Sequence, residues 1–87
     1  MNDVFRTTDL PLSAYLLTQR QQCCGMERKD SRSYWFTFSP NGKCEQLAND
    51  FFSGRGRVTP RDYSDALRRA RDLVFEASRQ QTGGITR

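Results

Sequence analysis

A chain of 87 residues, 36 % apolar and 28 % charged, has room for one small domain with a thin core; a chain this short hides only about 60–65 % of its unfolded surface. Fourteen Lys and Arg against ten Asp and Glu leave a net charge of +4, and there is no histidine. That absence excludes a Ser-His-Asp or Cys-His nucleophile, an HExxH zinc site and a Cys₂His₂ finger.

At the start of the chain, Val4 and Phe5 suit a short extended arm. Thr7-Thr8-Asp9 then offers capping oxygens, and Leu10-Pro11 places proline where a first helical turn tolerates it. Leu10, Ala14 and Leu17, flanked by Tyr15 and Leu16, keep helical spacing up to the Gln/Arg run at 19–22, which predicts a first helix over about 9–20.

The period then changes to two. Tyr34, Phe36 and Phe38 alternate with Ser33, Trp35 and Thr37, the pattern of a strand with one buried face. Cys23 to Arg28 is its antiparallel partner across a turn at Lys29-Asp30-Ser31-Arg32. With Asp30-Ser31 as a two-residue turn, Glu27 faces Tyr34, Met26 faces Trp35 and Gly25 faces Phe36. Helices cover Tyr34, Phe36 and Phe38, leaving Trp35 and Met26 on the other face. An uncovered Trp-centred face predicts a homodimer interface at Trp35 and Met26. The other readings of Trp35 are a base-stacking platform and ordinary packing under the N-terminal arm or the tail.

Ser39-Pro40-Asn41-Gly42 stops the strand and opens a second helix, with Cys44, Leu47, Ala48, Phe51 and Phe52 as its apolar stripe and Gly54 as its C-terminal cap. Cys44 on that stripe reads as packing rather than reactivity. Thr59-Pro60-Arg61-Asp62 begins a third helix: cap, proline, then an acid in the first turn. Tyr63, Ala66, Leu67, Ala70, Leu73, Val74 and Ala77 form its apolar face, opposite Asp65, Arg68, Arg69, Asp72, Glu76 and Arg79. After Gln80 the pattern ends. The expected fold is α+β: a helix, a β-hairpin, then two helices packed on one face of a small antiparallel sheet. It forms one domain over 1–80 with a flexible tail over 81–87.

Cys23, Cys24 and Cys44 are odd in number and lack metal-type spacing, which predicts reduced thiols in a cytoplasmic protein with no metal and no cofactor. No apolar run approaches the roughly 18 residues of a membrane span. The basic residues are twelve Arg and two Lys, fitting either phosphate contact or the codon bias of a GC-rich genome. Residues 1–52 hold six bases and six acids; residues 53–87 hold eight Arg against four acids, so the whole net charge lies in the C-terminal part.

Within that part, Ser53-Gly54-Arg55-Gly56-Arg57 reads either as a phosphate-contacting loop or as a solvated helix connection. Arg55, Arg57 and Arg61 crowd a helix start, where the dipole disfavours cations, so stability alone does not account for them. Arg-Gly-Arg partly resembles the minor-groove core of the AT-hook, in which proline follows the second arginine; Val58 follows here. On the third helix Asp65 and Asp72 stand four positions from Arg69 and Arg68, whereas Arg71 has no acid three or four positions away. Arg68 and Arg71 join the candidate nucleic-acid contacts. Asp65, Asp72 and Glu76 share one helical face but read as a solvated surface, and nothing pairs a nucleophile with a base.

Several stretches together resemble a small bacterial and phage domain family of unknown function: Thr7-Thr8-Asp9-Leu10, Gly25-Met26-Glu27-Arg28, Tyr34-Trp35-Phe36-Thr37-Phe38, Cys44 to Phe52, Val58 to Tyr63, and Ala66-Leu67-Arg68. The likeness runs over about 7–75. It implies the order and size of the fold, no assigned activity, and a phage or mobile-element setting. Two functional readings follow. The first is a non-enzymatic module that binds nucleic acid, DNA above all, through Arg55, Arg57, Arg61, Arg68 and Arg71. The alternative is a dimeric protein-interaction adaptor, or a phage or mobile-element accessory protein acting on another protein.

Overall fold

The computed structural model describes the backbone of residues 4–85 and the side chains of residues 4–79. Six elements follow one another: β1 (Phe5–Thr7), α1 (Leu10–Thr18), β2 (Gln22–Arg28), β3 (Tyr34–Ser39), α2 (Asn41–Phe52) and α3 (Pro60–Ile85). The protein is α+β, with three helices and a three-stranded antiparallel sheet in the order β1-β3-β2.

The third strand departs from the expected lone hairpin. The N-terminal arm pairs along the free edge of β3, with Phe5 opposite Phe38, Arg6 opposite Thr37 and Thr7 opposite Phe36. A two-stranded hairpin is marginal in water, and this short strand supplies the edge that β3 otherwise leaves open.

The hairpin register is also one residue away from the expected one. Arg28 faces Tyr34, Glu27 faces Trp35, Met26 faces Phe36 and Gly25 faces Thr37, with a bulge between Cys23 and Gly25. The cause is a longer turn. Lys29 N–H donates to the Ser33 carbonyl at 3.0 Å. Asp30 Oδ1 accepts the amides of Arg32 at 2.8 Å and Ser33 at 2.9 Å. Three residues therefore turn the chain where two were expected. Because side chains alternate with period two, the single slip moves Met26 to the face of Phe36, where it packs half-buried against the core.

Phe36 and Phe38 from β3, Leu12, Tyr15 and Leu16 from α1, and Cys44 and Leu47 from α2 make up the core with Ala70 of α3. α1 is short and central: Leu12, Ser13, Ala14, Tyr15 and Leu16 are all buried, so it is enclosed on nearly every side rather than amphipathic. Its start is capped as expected, Asp9 Oδ1 accepting the Leu12 amide at 2.7 Å. Beyond its last turn Arg20 adopts a left-handed conformation at φ 67.

On α2, Cys44, Leu47 and Ala48 are buried, while Phe52 is 65 % exposed and stands edge-on to Phe51 rather than in the core. At about 100° per residue Phe52 lies some 80° round the helix from Cys44, too far to share its buried line. The start of α3 matches its sequence, with Thr59 Oγ1 accepting the Asp62 amide at 3.2 Å. Its backbone stays helical to Ile85, so most of the stretch expected as a tail after Gln80 belongs to the helix, and residues 86–87 lie outside the described part.

Candidate functional site

The connection from α2 to α3 is held in place by its backbone. Gly54 turns the chain at φ +82, closing α2 in the left-handed conformation that glycine adopts without strain. The Asp50 carbonyl then accepts two amides, from Arg55 at 2.8 Å and Gly56 at 3.0 Å. Gly56 lies against Tyr15 so closely that a Cβ there would meet the ring at 2.9 Å. Farther on, Gln19 Nε2 donates to the Arg57 carbonyl at 3.4 Å. Both glycines thus serve the path of the chain itself.

The arginine side chains on this ridge stay exposed. Arg55 approaches Asp50 at 3.4 Å, with its side chain 68 % exposed. Arg57 and Arg61 make no ion pair among the described residues. On α3, Arg68 reaches Asp65 at 4.0 Å, three positions away, in place of the expected Asp72. Exposed pairs this long hold charges weakly.

Helical geometry sorts the outer face of α3 into two flanks. With Ala70 pointing to the core, about 100° per residue places Arg68, Arg71 and Phe75 round one side, Asp62, Asp65, Arg69, Asp72 and Glu76 round the other, and Arg61 on the line between them. Arg79 closes the basic flank, its guanidinium 5.3 Å from the centre of the Phe75 ring. Arg71, at the edge of that flank, overhangs a cleft shared with Arg32 of the β2–β3 turn. Arg32 escaped sequence reasoning because it sits in the electrically neutral half of the chain. The signal available for it was its place in a turn opposite an aromatic strand.

Trp35 does lie on the sheet face away from the core, but it is half-buried. The Arg6 guanidinium sits 4.8 Å from its ring centre and Lys29 Nζ 5.5 Å away. Arg6 also pairs with Glu27, the residue opposite Trp35. Met26, expected beside Trp35, is on the other face. The two expected interface residues are therefore not brought together.

No group of three or more His, Cys, Asp or Glu placed to hold a metal occurs among the described residues. All three cysteines are free. Burial pushes the thiols of Cys23 and Cys44 above their ordinary value, and it does the same to the Tyr63 phenol, whose hydroxyl donates to the Pro11 carbonyl at 3.3 Å. The amide of Arg32 is the main influence holding the Asp30 carboxyl below its usual range. Among the described residues no helix is long and apolar enough to cross a membrane.

Comparison with protein-family models, with curated proteins and with solved structures finds no match to this chain.

Proposed function

We propose that the chain is a non-enzymatic nucleic-acid-binding module that contacts phosphates through Arg55, Arg57, Arg61, Arg68 and Arg71. One observation carries the reading. The loop bearing Arg55 and Arg57 is fixed by hydrogen bonds to its backbone and by the packing of Gly56 on Tyr15, while its guanidinium groups project into solvent. A backbone ordered in advance reduces the entropy lost when the arginines meet a ligand. Arginine forks suit phosphate oxygens, and the basic flank of α3 continues the cationic surface.

Fluorescence anisotropy with labelled single- and double-stranded DNA at low and high salt tests this. Binding at low salt is expected to fall with a log–log salt slope of about −3 to −4 if four phosphates are neutralised. Arg57→Ala with Arg61→Ala should weaken binding and flatten that slope by about two. Absence of binding by the wild-type protein at low salt removes the proposal, and unchanged binding by the double variant moves the contact away from the loop.

The second reading, a dimeric adaptor or an accessory protein acting on another protein, has a different observation in its favour. Phe52 and Phe75 are 65 % and 62 % exposed, apolar surface available to a protein partner.

A further inference from the structure

A cleft of about 260 Å³ opens where the β1–α1 connection, the β2–β3 turn and the middle of α3 meet. Its floor is apolar, formed by Leu10, Tyr34 and Val74 together with the edge of the core. Its rim is cationic: Arg32 stands on the turn side and Arg71 on the helix side, with the hydroxyl-bearing Ser33 and Thr8 beside them. Among the described residues no Asp or Glu lines it.

Among the described residues neither guanidinium is neutralised. Arg71 and Arg32 make no ion pair among the described residues. The nearest acid in sequence to Arg32, Asp30, spends its Oδ1 on the amides of Arg32 and Ser33 and so shapes the turn that presents them. Two arginines lining one small space suit a ligand group carrying more than one negative charge. A phosphate diester inside a strand carries one. A terminal phosphate monoester carries about 1.5 to 2 at neutral pH and offers three acceptor oxygens.

Size points the same way. The cleft falls below the roughly 300–1,000 Å³ of ordinary small-molecule sites, so it takes an end group rather than a length of strand. The apolar floor then meets the sugar or base face of the terminal nucleoside.

We propose that this cleft is the seat for a phosphorylated strand end, with the terminal phosphate between Arg32 and Arg71 and the terminal nucleoside on Leu10 and Val74. The assignment rests on the nucleic-acid reading above and deepens it. The arginine ridge tracks the backbone of the strand, and the cleft recognises where the strand stops.

The test uses the full chain and a short single strand, labelled at its 3′ end and carrying either a phosphate or a hydroxyl at its 5′ end. The wild-type protein is expected to prefer the phosphorylated end by about tenfold, the worth of one charge-assisted hydrogen bond. Arg32→Gln and Arg71→Gln should each bring that ratio close to one. Arg57→Ala with Arg61→Ala should lower both affinities and keep the ratio. Circular dichroism and the melting midpoint establish that each variant is folded.

Equal binding of the two ends by the wild-type protein overturns this assignment and leaves the binding module standing. No binding of either strand at low salt overturns both. A ratio that persists in Arg32→Gln and Arg71→Gln overturns the cleft as its source. Tighter competition by a phosphotyrosine peptide than by the phosphorylated strand overturns the nucleic-acid ligand in favour of a phosphoprotein.

Discussion

Tyr15 is almost fully buried, and its ring would lie 2.9 Å from any Cβ added at Gly56. The tip of the ring must shift to admit that Cβ, into the space lined by Phe51, Val58 and Tyr63, so Gly56→Ala should destabilise the fold by about 1 kcal/mol, read as a lower urea midpoint at unchanged slope. The two glycines of the loop are obvious in sequence as punctuation, but the neighbour that makes Gly56 necessary is 41 positions away and invisible there. The buried thiols carry a second consequence. Cys23 and Cys44 stay protonated in the fold at pH values where the unfolded chain has begun to ionise. Their contribution is therefore present in full below the ordinary thiol value of 9.0 and is lost as pH rises beyond it. The melting midpoint should fall as pH rises past 9.0, and fall less steeply in Cys44→Ala. The burial of Cys44 was legible from its place on the apolar stripe of α2, whereas that of Cys23 follows from the hairpin register.

The elements that keep a regular period over several turns were legible: α1 and its Asp9 cap, α2, and the start of α3 at Thr59-Pro60. β1 was not. Three residues carry no measurable period, and what makes them a strand is the vacant edge of β3, 29 to 33 positions later in the chain. The hairpin register depended on whether Asp30-Ser31 or a three-residue turn closed it, and the Asp30 carboxylate, by accepting two amides, settles that in favour of the longer turn. The slip puts Glu27 opposite Trp35 and lets Arg6 reach across from β1 to both. Trp35 is the only tryptophan, so its fluorescence reports this arrangement directly. Arg6→Ala should move its emission to longer wavelength and increase quenching by acrylamide, because the guanidinium that shields the ring is gone. An unchanged spectrum would mean that Arg6 does not cover Trp35 in solution.

At the scale of the whole molecule, the sheet face expected to drive dimerisation is not a bare apolar patch. Arg6 and Lys29 lie over Trp35, Met26 is on the opposite face, and among the described residues the large exposed apolar side chains are Phe52, Phe75 and Val58 instead. Any self-association should therefore be more sensitive to Phe75→Ser than to Trp35→Ala. Sedimentation equilibrium of the wild-type protein and both variants measures this, and a mass lowered by Trp35→Ala alone would restore the sheet face as the interface. The distribution of charge changes in a similar way. Along the sequence the excess of arginine belongs entirely to residues 53–87. In the fold Arg32, from the neutral half, faces the same cleft as Arg71.

The sequence by itself determined the length of the core, the identity of the helices and their caps, the alternation of β3, and the absence of histidine chemistry. Each of these depends on residues within a few positions of one another, or on composition alone. Only the tertiary structure decided the third strand, the side of the sheet on which Met26 lies, the cover over Trp35, and the meeting of Arg32 with Arg71. These depend on register and on packing between distant segments. A single extra residue in the turn reverses the faces of a strand, and two arginines 39 positions apart become neighbours in one cleft because α3 packs back beside the hairpin.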